Sequence, residues 1–330
     1  MPRARIRSTG SYVPSKILTN ADLEKLVDTS DEWITTRTGI KERRIAGPEE
    51  ACSDLALEAA RRALDAGGVK AGELDLIMVA TVTPDTHVPS AACLLQNRLG
   101  ASNAAAFDIN AACSGFVYAL GIAEAFITSG RHRKVLVAGS EVLSRVTDWQ
   151  DRSTCVLFGD GAGAVVLEPG PSGSDDGSGI ISVNIHADGG MGDLLTIPAG
   201  GSRMPTSGET LKKRLHYIRM SGNETFKIAV KTLENLVKNT MEAAGLTASD
   251  IALFVPHQAN LRIIKALAER LGVPMEKVAV NIDRLGNTSS ASIPIALDEA
   301  VRSGRVKAGD YVLLEAFGGG LTWASALIKW

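Results

Sequence analysis

Gly72–Pro84 reads GELDLIMVATVTP, and Ala244–Pro256, in the second half of the chain, reads AGLTASDIALFVP. Each stretch has an aspartate directly before a run of apolar residues, which predicts strands over Leu76–Val82 and Ile251–Val255. Because apolar side chains occupy both faces of each run, both strands are expected in sheets that are covered on two sides. We interpret the two stretches as copies of one structural unit.

The repetition extends beyond these strands. Apolar residues at helical spacing predict a helix over Asp54–Gly67 ahead of the first strand and another over Phe226–Ala244 ahead of the second. Matching residues lie 172 to 175 positions apart: Asp75 with Asp250, Arg98 with Arg270, and Ser129 with Ser303. Strands and helices that alternate and recur at this spacing predict two similar α/β halves related by a pseudo-twofold axis.

We assign the first half to residues 1–170 and the second half to residues 171–330. The joint between them is expected within Glu168–Gly179, because Gly, Ser, Asp and Pro dominate that stretch. Gly189–Arg219 has no counterpart in the first half. This segment is therefore expected to be an insertion near the active site.

The composition restricts the class of protein. The 330 residues are 45% hydrophobic and 22% charged, with a formal net charge of −2. Without a basic excess, the chain does not have the pattern of a nucleic-acid-binding protein. No apolar run reaches the roughly 18 residues of a membrane span, and no signal-peptide pattern begins the sequence. We therefore expect a cytoplasmic protein.

The cysteines and one glycine-rich stretch argue against metals and redox cofactors. The cysteines form no CxxC pair, which is atypical of a zinc site, and a cytosolic chain of this length needs no disulfides. They are Cys52, Cys93, Cys113 and Cys155. Gly159–Ala164, GDGAGA, leads into a predicted strand, whereas a dinucleotide motif requires a helix there. We interpret it as close backbone packing and expect neither a metal nor a redox cofactor.

Cys113 is the candidate nucleophile. It lies between a predicted strand, Ala105–Ile109, and a predicted helix, Gly115–Thr128. A helix amino terminus presents unpaired N–H groups and a partial positive charge, which would stabilise a thiolate. Small neighbouring residues would let a substrate approach closely. The alternative interpretation is an ordinary packed cysteine.

His257 and Asn287 are the candidate partners of Cys113. At the repeat spacing Cys113 corresponds to Asn287, between a predicted strand, Val278–Ile282, and a predicted helix, Ser290–Val301. His257 follows the second-half strand and begins another helix. Because ligands gather at the carboxyl ends of strands, a pseudo-twofold axis would bring the three side chains together. A loop histidine and a helix-capping asparagine remain the alternatives.

Five stretches resemble a known family. They are Ile17–Arg44, AACSGF at Ala111–Phe116, VPHQANLRII at Val255–Ile264, DRLGNTSSASIP at Asp283–Pro294 and LLEAFGGGLTW at Leu313–Trp323. They resemble the β-ketoacyl-acyl-carrier-protein synthase III family over essentially the whole chain. The resemblance implies the thiolase-like α/β fold, with duplicated βαβαβαββ halves in a five-layer α-β-α-β-α sandwich, and a homodimer.

The resemblance also implies a reaction. An acyl-CoA primer would acylate Cys113, and malonyl-acyl carrier protein would then lose CO₂ and attack the thioester, giving β-ketoacyl-acyl carrier protein. His257 and Asn287 would donate hydrogen bonds to the enolate oxygen. The Cys113 and Gly319 N–H groups would form a second oxyanion hole, and Phe317 would shield the nucleophile. This reaction initiates type II fatty-acid synthesis.

Further positions match the family's binding sites. The coenzyme A positions are Thr29, Trp33, Arg37, Arg152, Gly222, Asn223 and Asn260. Trp33 and Arg152 would sandwich the adenine, because an indole ring and a guanidinium group both stack well on a flat base. Acyl carrier protein is acidic, so its docking residues should be basic: Lys227, Arg262 and Lys265. Ordinary solvated charges are the alternative interpretation of these three.

Two positions depart from acetyl-selective members, and other functions stay open. Val88 and Leu321 stand where phenylalanine is frequent in the acyl pocket, which favours a longer or branched primer. A thiolase or an elongating synthase would have histidine at Asn287. A specialised relative that makes quinolones or starts polyketides is compatible with the sequence. A non-catalytic carrier-protein-binding subunit is expected to have lost Cys113.

Overall fold

The computed structural model describes residues 3–170 and 177–330. The middle half of the predicted joint, Glu168–Gly179, is residues 171–176, which lie outside the described residues. The described strands are β1 Ala4–Tyr12, β2 Lys16–Thr19, β3 Glu42–Ile45, β4 Leu76–Ala80, β5 Ala105–Ile109, β6 Val135–Val142, β7 Asp160–Pro169, β8 Gly179–Ala187, β9 Leu195–Thr196, β10 Arg219–Met220, β11 Ile251–Pro256, β12 Tyr311–Gly318 and β13 Thr322–Lys329.

The described α-helices are α1 Asn20–Leu23, α2 Asp31–Thr38, α3 Cys52–Gly67, α4 Ala91–Leu99, α5 Gly115–Thr128, α6 Gly208–Lys212, α7 Gly222–Ala243, α8 Leu261–Leu271, α9 Ile282–Leu285 and α10 Ser292–Arg302. The predicted helices over Asp54–Gly67 and Phe226–Ala244 are confirmed as α3 and α7, each beginning a few residues earlier. The predicted strands at β4, β5 and β11 are confirmed as well.

Two main sheets carry the structure. The first has the order β1-β7-β6-β4-β5, with β4 parallel to both β5 and β6. The second has the order β11-β12-β13-β8, with β11 parallel to β12. The first sheet is formed by residues 4–169 and the second by residues 179–329, as two α/β halves require.

The predicted strand Val278–Ile282 is wrong. Only an isolated bridge joins Val278 to Phe254 beside the second sheet. Beyond it the Gln258 side chain takes the place of a strand: its amide donates to the Ala279 carbonyl at 3.1 Å and accepts from the Asn281 N–H at 3.0 Å. A side-chain amide that satisfies these backbone groups removes the need for ladder pairing.

Helices separate and cover the two sheets in five layers. Leu55 of α3 packs on the outer face of the first sheet, and Leu233 of α7 packs with Leu313 on the outer face of the second. Leu120 of α5 and Leu297 of α10 are fully buried between the sheets. Burial of one such leucine stabilises the fold by about 1.5–3 kcal/mol. The expected α-β-α-β-α arrangement is confirmed.

The two central helices α5 and α10 begin in the same way. Each follows a single 3₁₀ turn whose first residue lies in the left-handed region, Ala112 at φ 46° and Ser289 at φ 49°. This equivalence pairs Cys113 with Ser290. The pairing of Cys113 with Asn287, expected from the sequence spacing, is therefore wrong, because the second-half loop contains α9 and not a strand ahead of its turn.

Candidate active site

Cys113 lies in the 3₁₀ turn before α5 and is 8% exposed. Its backbone is packed against Gly318 at the end of β12. A Cβ atom at position 318 would come within 2.6 Å of the Cys113 nitrogen, so only glycine permits this approach. The contact attaches the first-half nucleophile directly to the second-half sheet.

The thiolate expected at Cys113 is disfavoured by the burial of that side chain. Burial raises the pKa of the Cys113 thiol to about 12, and a hydrogen bond with the Ser289 side chain offsets only part of that effect. The helix amino terminus was expected to stabilise a thiolate. Because α5 itself begins at Gly115, the desolvation of Cys113 outweighs that contribution. The resting nucleophile is a neutral thiol.

His257 directly follows β11, and its backbone N–H donates to the Glu315 carbonyl at 2.7 Å. Its Nδ1 lies 2.6 Å from the Ser292 hydroxyl, which also accepts from the Gln258 N–H at 3.3 Å. We assign the Nε2–H tautomer, in which Nδ1 accepts from the Ser292 O–H and the Nε2 hydrogen can be donated.

Burial also fixes the charge of His257. Desolvation lowers the pKa of His257 to about 3, so the imidazole is neutral at physiological pH. Cys113 and His257 are therefore both uncharged before a substrate binds.

Asn287 is held by the first half of the chain. Its N–H donates to the Leu157 carbonyl at 2.8 Å, and its carbonyl accepts from the Gly159 N–H at 3.0 Å. A Cβ at position 159 would meet the Leu285 carbonyl at 2.2 Å, which confirms close backbone packing in the GDGAGA stretch. The Asn287 Oδ1 accepts from the Ser289 N–H at 2.8 Å, so its Nδ2 hydrogens remain available as donors.

One cavity of about 530 Å³ is lined by Cys113, His257, Asn287 and Phe317. Other predicted site residues that line it are Arg37, Gly222, Asn223, Lys227, Asn260 and Arg262. The remaining predicted residues do not contribute to its lining: Thr29, Val88, Trp33, Arg152, Lys265, Gly319 and Leu321. Leu195, within the predicted insertion, does line it, which confirms that this segment lies at the cavity.

Two guanidinium groups lie against the Trp33 ring. The Cζ atoms of Arg37 and Arg152 are 4.7 and 4.8 Å from the indole centroid, and Arg152 also donates to the Asp28 carbonyl at 2.7 Å. At that separation Arg152 contacts the ring itself and leaves no gap for a base. An adenine sandwiched by Trp33 and Arg152 would require Arg152 to move outward.

The other predicted binding residues differ widely in exposure. Lys227, Arg262 and Lys265 are exposed, and the Arg262 guanidinium lies 5.6 Å from the Phe226 ring centroid. Val88 is 86% exposed on the loop before α4. In contrast, Leu321 is fully buried with the hydrophobic residues of the outer second-half layer. Val88 therefore does not meet Leu321 within one chain.

Two residues of the site were missed by the sequence analysis, Ser292 and Glu315. Nothing in the sequence identifies Ser292 as the partner of His257. Glu315 gave a signal, because it is a carboxylate within the apolar strand YVLLEAFG. It is 1% exposed, lines the cavity, and its Oε1 has no hydrogen-bond partner among the described residues. Burial raises the pKa of Glu315 to about 8.

Within residues 3–170 and 177–330 no group of three or more His, Cys, Asp or Glu side chains could hold a metal ion. No helix in the same part of the chain has the length and apolar character needed to cross a membrane.

Two family models match the sequence. The model described as 3-oxoacyl-[acyl-carrier-protein (ACP)] synthase III matches residues 107–189, and the model of the C-terminal part of the same synthase matches residues 241–330. The first match contains Cys113. The second contains His257, Asn287 and Glu315. Arg37 and the α7 residues that line the cavity lie outside both matches.

Known proteins are similar over the whole chain. The β-ketoacyl-[acyl-carrier-protein] synthase III of Caldanaerobacter subterraneus subsp. tengcongensis is 58% identical over 99% of this chain and 98% of its own. The crystal structure of 3-oxoacyl-[acyl-carrier-protein] synthase III from Aquifex aeolicus is 52% identical with a TM-score of 0.90, covering 99% of this chain and 100% of that one.

A relative from another pathway has the same fold. The priming β-ketosynthase from the R1128 polyketide biosynthetic pathway is 40% identical with a TM-score of 0.91, covering 99% of this chain and 96% of that one. The chain belongs to the β-ketoacyl-[acyl-carrier-protein] synthase III family, the acyltransferase-type condensing enzymes with the thiolase fold.

Proposed function

We propose that the protein condenses an acyl-CoA primer with malonyl-acyl carrier protein, in a decarboxylating Claisen reaction that initiates type II fatty-acid synthesis. One observation carries this proposal. A buried thiol, Cys113, shares a cavity with two neutral side chains, His257 and Asn287, whose remaining hydrogens can be donated into it. Neutral donors at a developing negative charge stabilise an enolate without titrating at physiological pH.

The first half-reaction acylates Cys113. The Cys113 sulfur attacks the acyl-CoA carbonyl, the bond from that carbonyl to the CoA sulfur breaks, and the thiol proton of Cys113 leaves with the CoA thiolate. The backbone N–H groups of Cys113 and Gly319 serve as the oxyanion hole. The contact at Gly318, which only glycine permits, holds β12 close to the Cys113 backbone. The products are an S-acyl Cys113 and CoA.

The second half-reaction forms the carbon–carbon bond. Malonyl-acyl carrier protein loses CO₂, and negative charge develops on the malonyl thioester oxygen. His257 Nε2–H and Asn287 Nδ2–H donate to that oxygen, and the enolate carbon attacks the acyl group on Cys113. Phe317, which lines the cavity and is 7% exposed, shields the thioester from bulk solvent.

Two kinds of partner follow from this reaction. Arg37, Gly222, Asn223 and Asn260 bind coenzyme A inside the cavity, and Thr29, Trp33 and Arg152 bind its nucleotide beside it. The exposed side chains of Lys227, Arg262 and Lys265 attract the acidic carrier protein. These roles are part of the proposal, as is a cytoplasmic location.

We also propose a homodimer of two duplicated halves, 1–170 and 171–330. β5 is an edge strand of the first sheet, and its residues 106–109 are only half-buried. An unpaired apolar edge is suited to pairing with a second copy of the same strand. In such a dimer the exposed Val88 enters the partner's acyl pocket beside its buried Leu321.

The experiment that tests the function follows the two half-reactions separately. Mixing the protein with acyl-CoA should add one acyl mass to a peptide containing Cys113. Adding malonyl-acyl carrier protein should then release CO₂ and discharge the acyl group onto the carrier. A protein that binds carrier protein but never becomes acylated would be the non-catalytic subunit.

The chain length of the primer is tested with a variant of Val88. Replacing Val88 with Phe adds a ring at the pocket floor, and overpacking there should cost about 1–3 kcal/mol for chains that reach it. Acetyl transfer should persist, while primers of about six carbons or more are lost. The same chain-length profile in both proteins would remove Val88 and Leu321 from the acyl pocket.

A second candidate function is the initiation of a specialised pathway that makes a polyketide or a quinolone. The likeness to the R1128 priming β-ketosynthase favours it, because that protein has the same fold over nearly its whole length. A panel of acyl-CoA primers from two to twelve carbons separates the candidates. Preference for acetyl or short branched primers supports fatty-acid initiation, whereas preference for longer starters supports the specialised pathway.

A further inference from the structure

The condensation consumes one proton that the three predicted catalytic groups do not supply. When the C–C bond forms, the thioester C–S bond breaks and Cys113 is left as a thiolate. The thiol proton of Cys113 has already departed with CoA in the first half-reaction. The regenerated thiolate must therefore take a new proton before the next turnover.

Neither His257 nor Asn287 can give that proton away. His257 is neutral because burial lowers its pKa to about 3, and loss of the Nε2 hydrogen would leave an imidazolate. The Asn287 amide is a hydrogen-bond donor and not an acid at physiological pH. A separate proton donor is needed within reach of the cavity.

Glu315 has the position of such a donor. Its backbone carbonyl holds His257 at 2.7 Å, and its side chain lines the cavity that also contains Cys113. The residue is 1% exposed, and its Oε1 is fully buried without a partner among the described residues. A buried carboxyl oxygen without a partner is rare in folded proteins and calls for a functional explanation.

Accepting the condensation proposed above, we propose that the Glu315 carboxyl group supplies the proton that Cys113 takes up in the condensation. The proton leaves the Glu315 carboxyl, crosses the shared cavity through water, and bonds to the Cys113 sulfur as the acyl C–S bond breaks. Glu315 becomes a carboxylate. It recovers its proton from solvent after the β-ketoacyl product has left the cavity.

The surroundings of Glu315 keep it protonated. The titratable neighbours of Glu315 are His257, which follows β11, and Cys113 of the central layer, and both line the same cavity. On β13 the residue paired with Glu315 is Ser325, which does not titrate. Desolvation is the cause of the raised pKa of Glu315, about 8. The helices above it present apolar side chains to the cavity: Ala229 and Leu233 of α7, and Ile264 and Leu267 of α8. The charged side chains lining the same cavity are exposed: Arg37, Lys227 and Arg262.

The test is a single turnover of acylated enzyme. The protein is acylated with acyl-CoA, freed of CoA, and mixed with malonyl-acyl carrier protein in weak buffer containing a pH indicator. In the wild type, proton uptake from solution should lag behind β-ketoacyl product, and the condensation rate should fall above about pH 8. In Glu315→Gln, condensation should slow by about 10²-fold, as loss of a general acid predicts. Uptake should then coincide with product.

Glu315→Asp and Glu141→Gln are the matched variants. Glu315→Asp keeps a carboxyl group and should keep both the lag and the alkaline fall at a reduced rate. Glu141→Gln removes another fully buried glutamate, outside the cavity lining, and should leave the lag unchanged.

Three outcomes would overturn the inference: a wild-type rate that stays flat through pH 8, uptake without a lag, or Glu315→Gln condensing at the wild-type rate. If Glu315→Gln does not fold, the wild type and Glu315→Asp still decide. Failure of the wild type to form an acyl-enzyme would instead overturn the proposed function, and is seen before malonyl-acyl carrier protein is added.

Discussion

The helices α5 and α10 begin from the same backbone geometry and use it differently. In the first half the turn presents Cys113, which lines the cavity. In the second half the turn presents Ser290, which is 1% exposed and whose hydroxyl lies within hydrogen-bond distance of the Ala80 carbonyl at 2.7 Å and a Glu141 oxygen at 3.0 Å. The same turn therefore carries a reactive side chain where it faces the cavity, at Cys113, and a structural side chain where its hydroxyl is hydrogen-bonded, at Ser290.

The buried glutamates of the two sheets repeat the contrast. Glu141 of β6 accepts hydrogen bonds from Thr81, Val82, Thr83 and Ser290. The Oε1 of Glu315 on β12 has no partner among the described residues. Pairing holds the Glu141 carboxyl group in place, and isolation beside a cavity leaves the Glu315 carboxyl group free to exchange a proton. Both sheets thus carry a buried glutamate, and the two differ in whether the carboxyl oxygens have hydrogen-bond partners among the described residues.

The largest expected effect distinguishes Cys113 from Ser290. Cys113→Ala should abolish acyl-enzyme formation completely, because no other thiol lines the cavity within the described residues. Ser290→Ala should still be acylated, but should lower the free energy of unfolding by about 1–3 kcal/mol through loss of its hydrogen bonds. Intact-mass spectrometry and urea unfolding measure the two effects. Loss of acylation in both variants would mean that the two turns are functionally coupled and not separate.

The repeats and family motifs of the sequence predicted the α-β-α-β-α sandwich and the meeting of Cys113, His257 and Asn287, which line one cavity. Repeated patterns are visible because apolar periodicity and glycine turns are local properties of the chain. The motif around Asn287 was correctly placed at the cavity although the spacing argument that linked it to Cys113 was wrong. Its position is set by the backbone bonds with Leu157 and Gly159, which are distant in sequence.

Three features could not be predicted because they depend on tertiary contacts. A side chain, Gln258, replaced the strand expected over Val278–Ile282. Desolvation reversed the expected ionisation of Cys113. The unpaired state of Glu315 depends on which side chains surround β12 after folding. None of these is encoded in a local pattern, because each is a balance between burial and partners from other segments.

The next comparison concerns two buried asparagines of the second-half loop. Asn287→Ala should keep acylation of Cys113 and lower the condensation rate by about 10²–10³-fold, because it removes one donor to the enolate. Asn281→Ala is the control: Asn281 is 2% exposed but donates to Glu299 at 3.1 Å, away from the cavity lining. That variant should lose stability and keep the ratio of the two half-reaction rates. Equal loss of both half-reactions in Asn287→Ala would assign it a structural role.

A smaller effect concerns the pH dependence of the free energy of unfolding, which should distinguish Glu315 from Glu141. The pKa of Glu315 is raised from 4.5 to about 8, so the folded state holds the proton longer and stability falls as pH rises between those values. The lowered pKa of His257, 6.5 to about 3, gives the opposite slope, which ends at pH 6.5. From pH 6.5 to 8 the Glu315 contribution is therefore unopposed by His257, with a limit of about 1.4 kcal/mol per pH unit.

Urea unfolding of Glu315→Gln across pH 6.5 to 8 should show a flatter stability profile than that of the wild type. Burial raises the pKa of Glu141 as well. Glu141→Gln should be less stable at every pH, because the amide has only one oxygen to accept from donors such as Thr83 and Val82. If the slope disappears in Glu141→Gln and persists in Glu315→Gln, then Glu141 is the glutamate with the more strongly raised pKa, and the contrast between the two is reversed.

The smallest effect concerns the first residues of the two central helices, Gly115 of α5 and Ser292 of α10. Gly115 carries no side chain, whereas the Ser292 hydroxyl lies 2.6 Å from His257 Nδ1. Removing one hydrogen bond with Ser292→Ala should cost about 1 kcal/mol, or roughly fivefold in condensation rate. The ring would then no longer be restricted to the Nε2–H tautomer, and ¹⁵N chemical shifts of His257 would report a mixture. Ser292→Thr keeps the hydroxyl and should restore both the rate and the single tautomer. An unchanged ¹⁵N spectrum in Ser292→Ala would mean that the tautomer is set by the cavity itself, and the two helix termini would then differ only at Cys113.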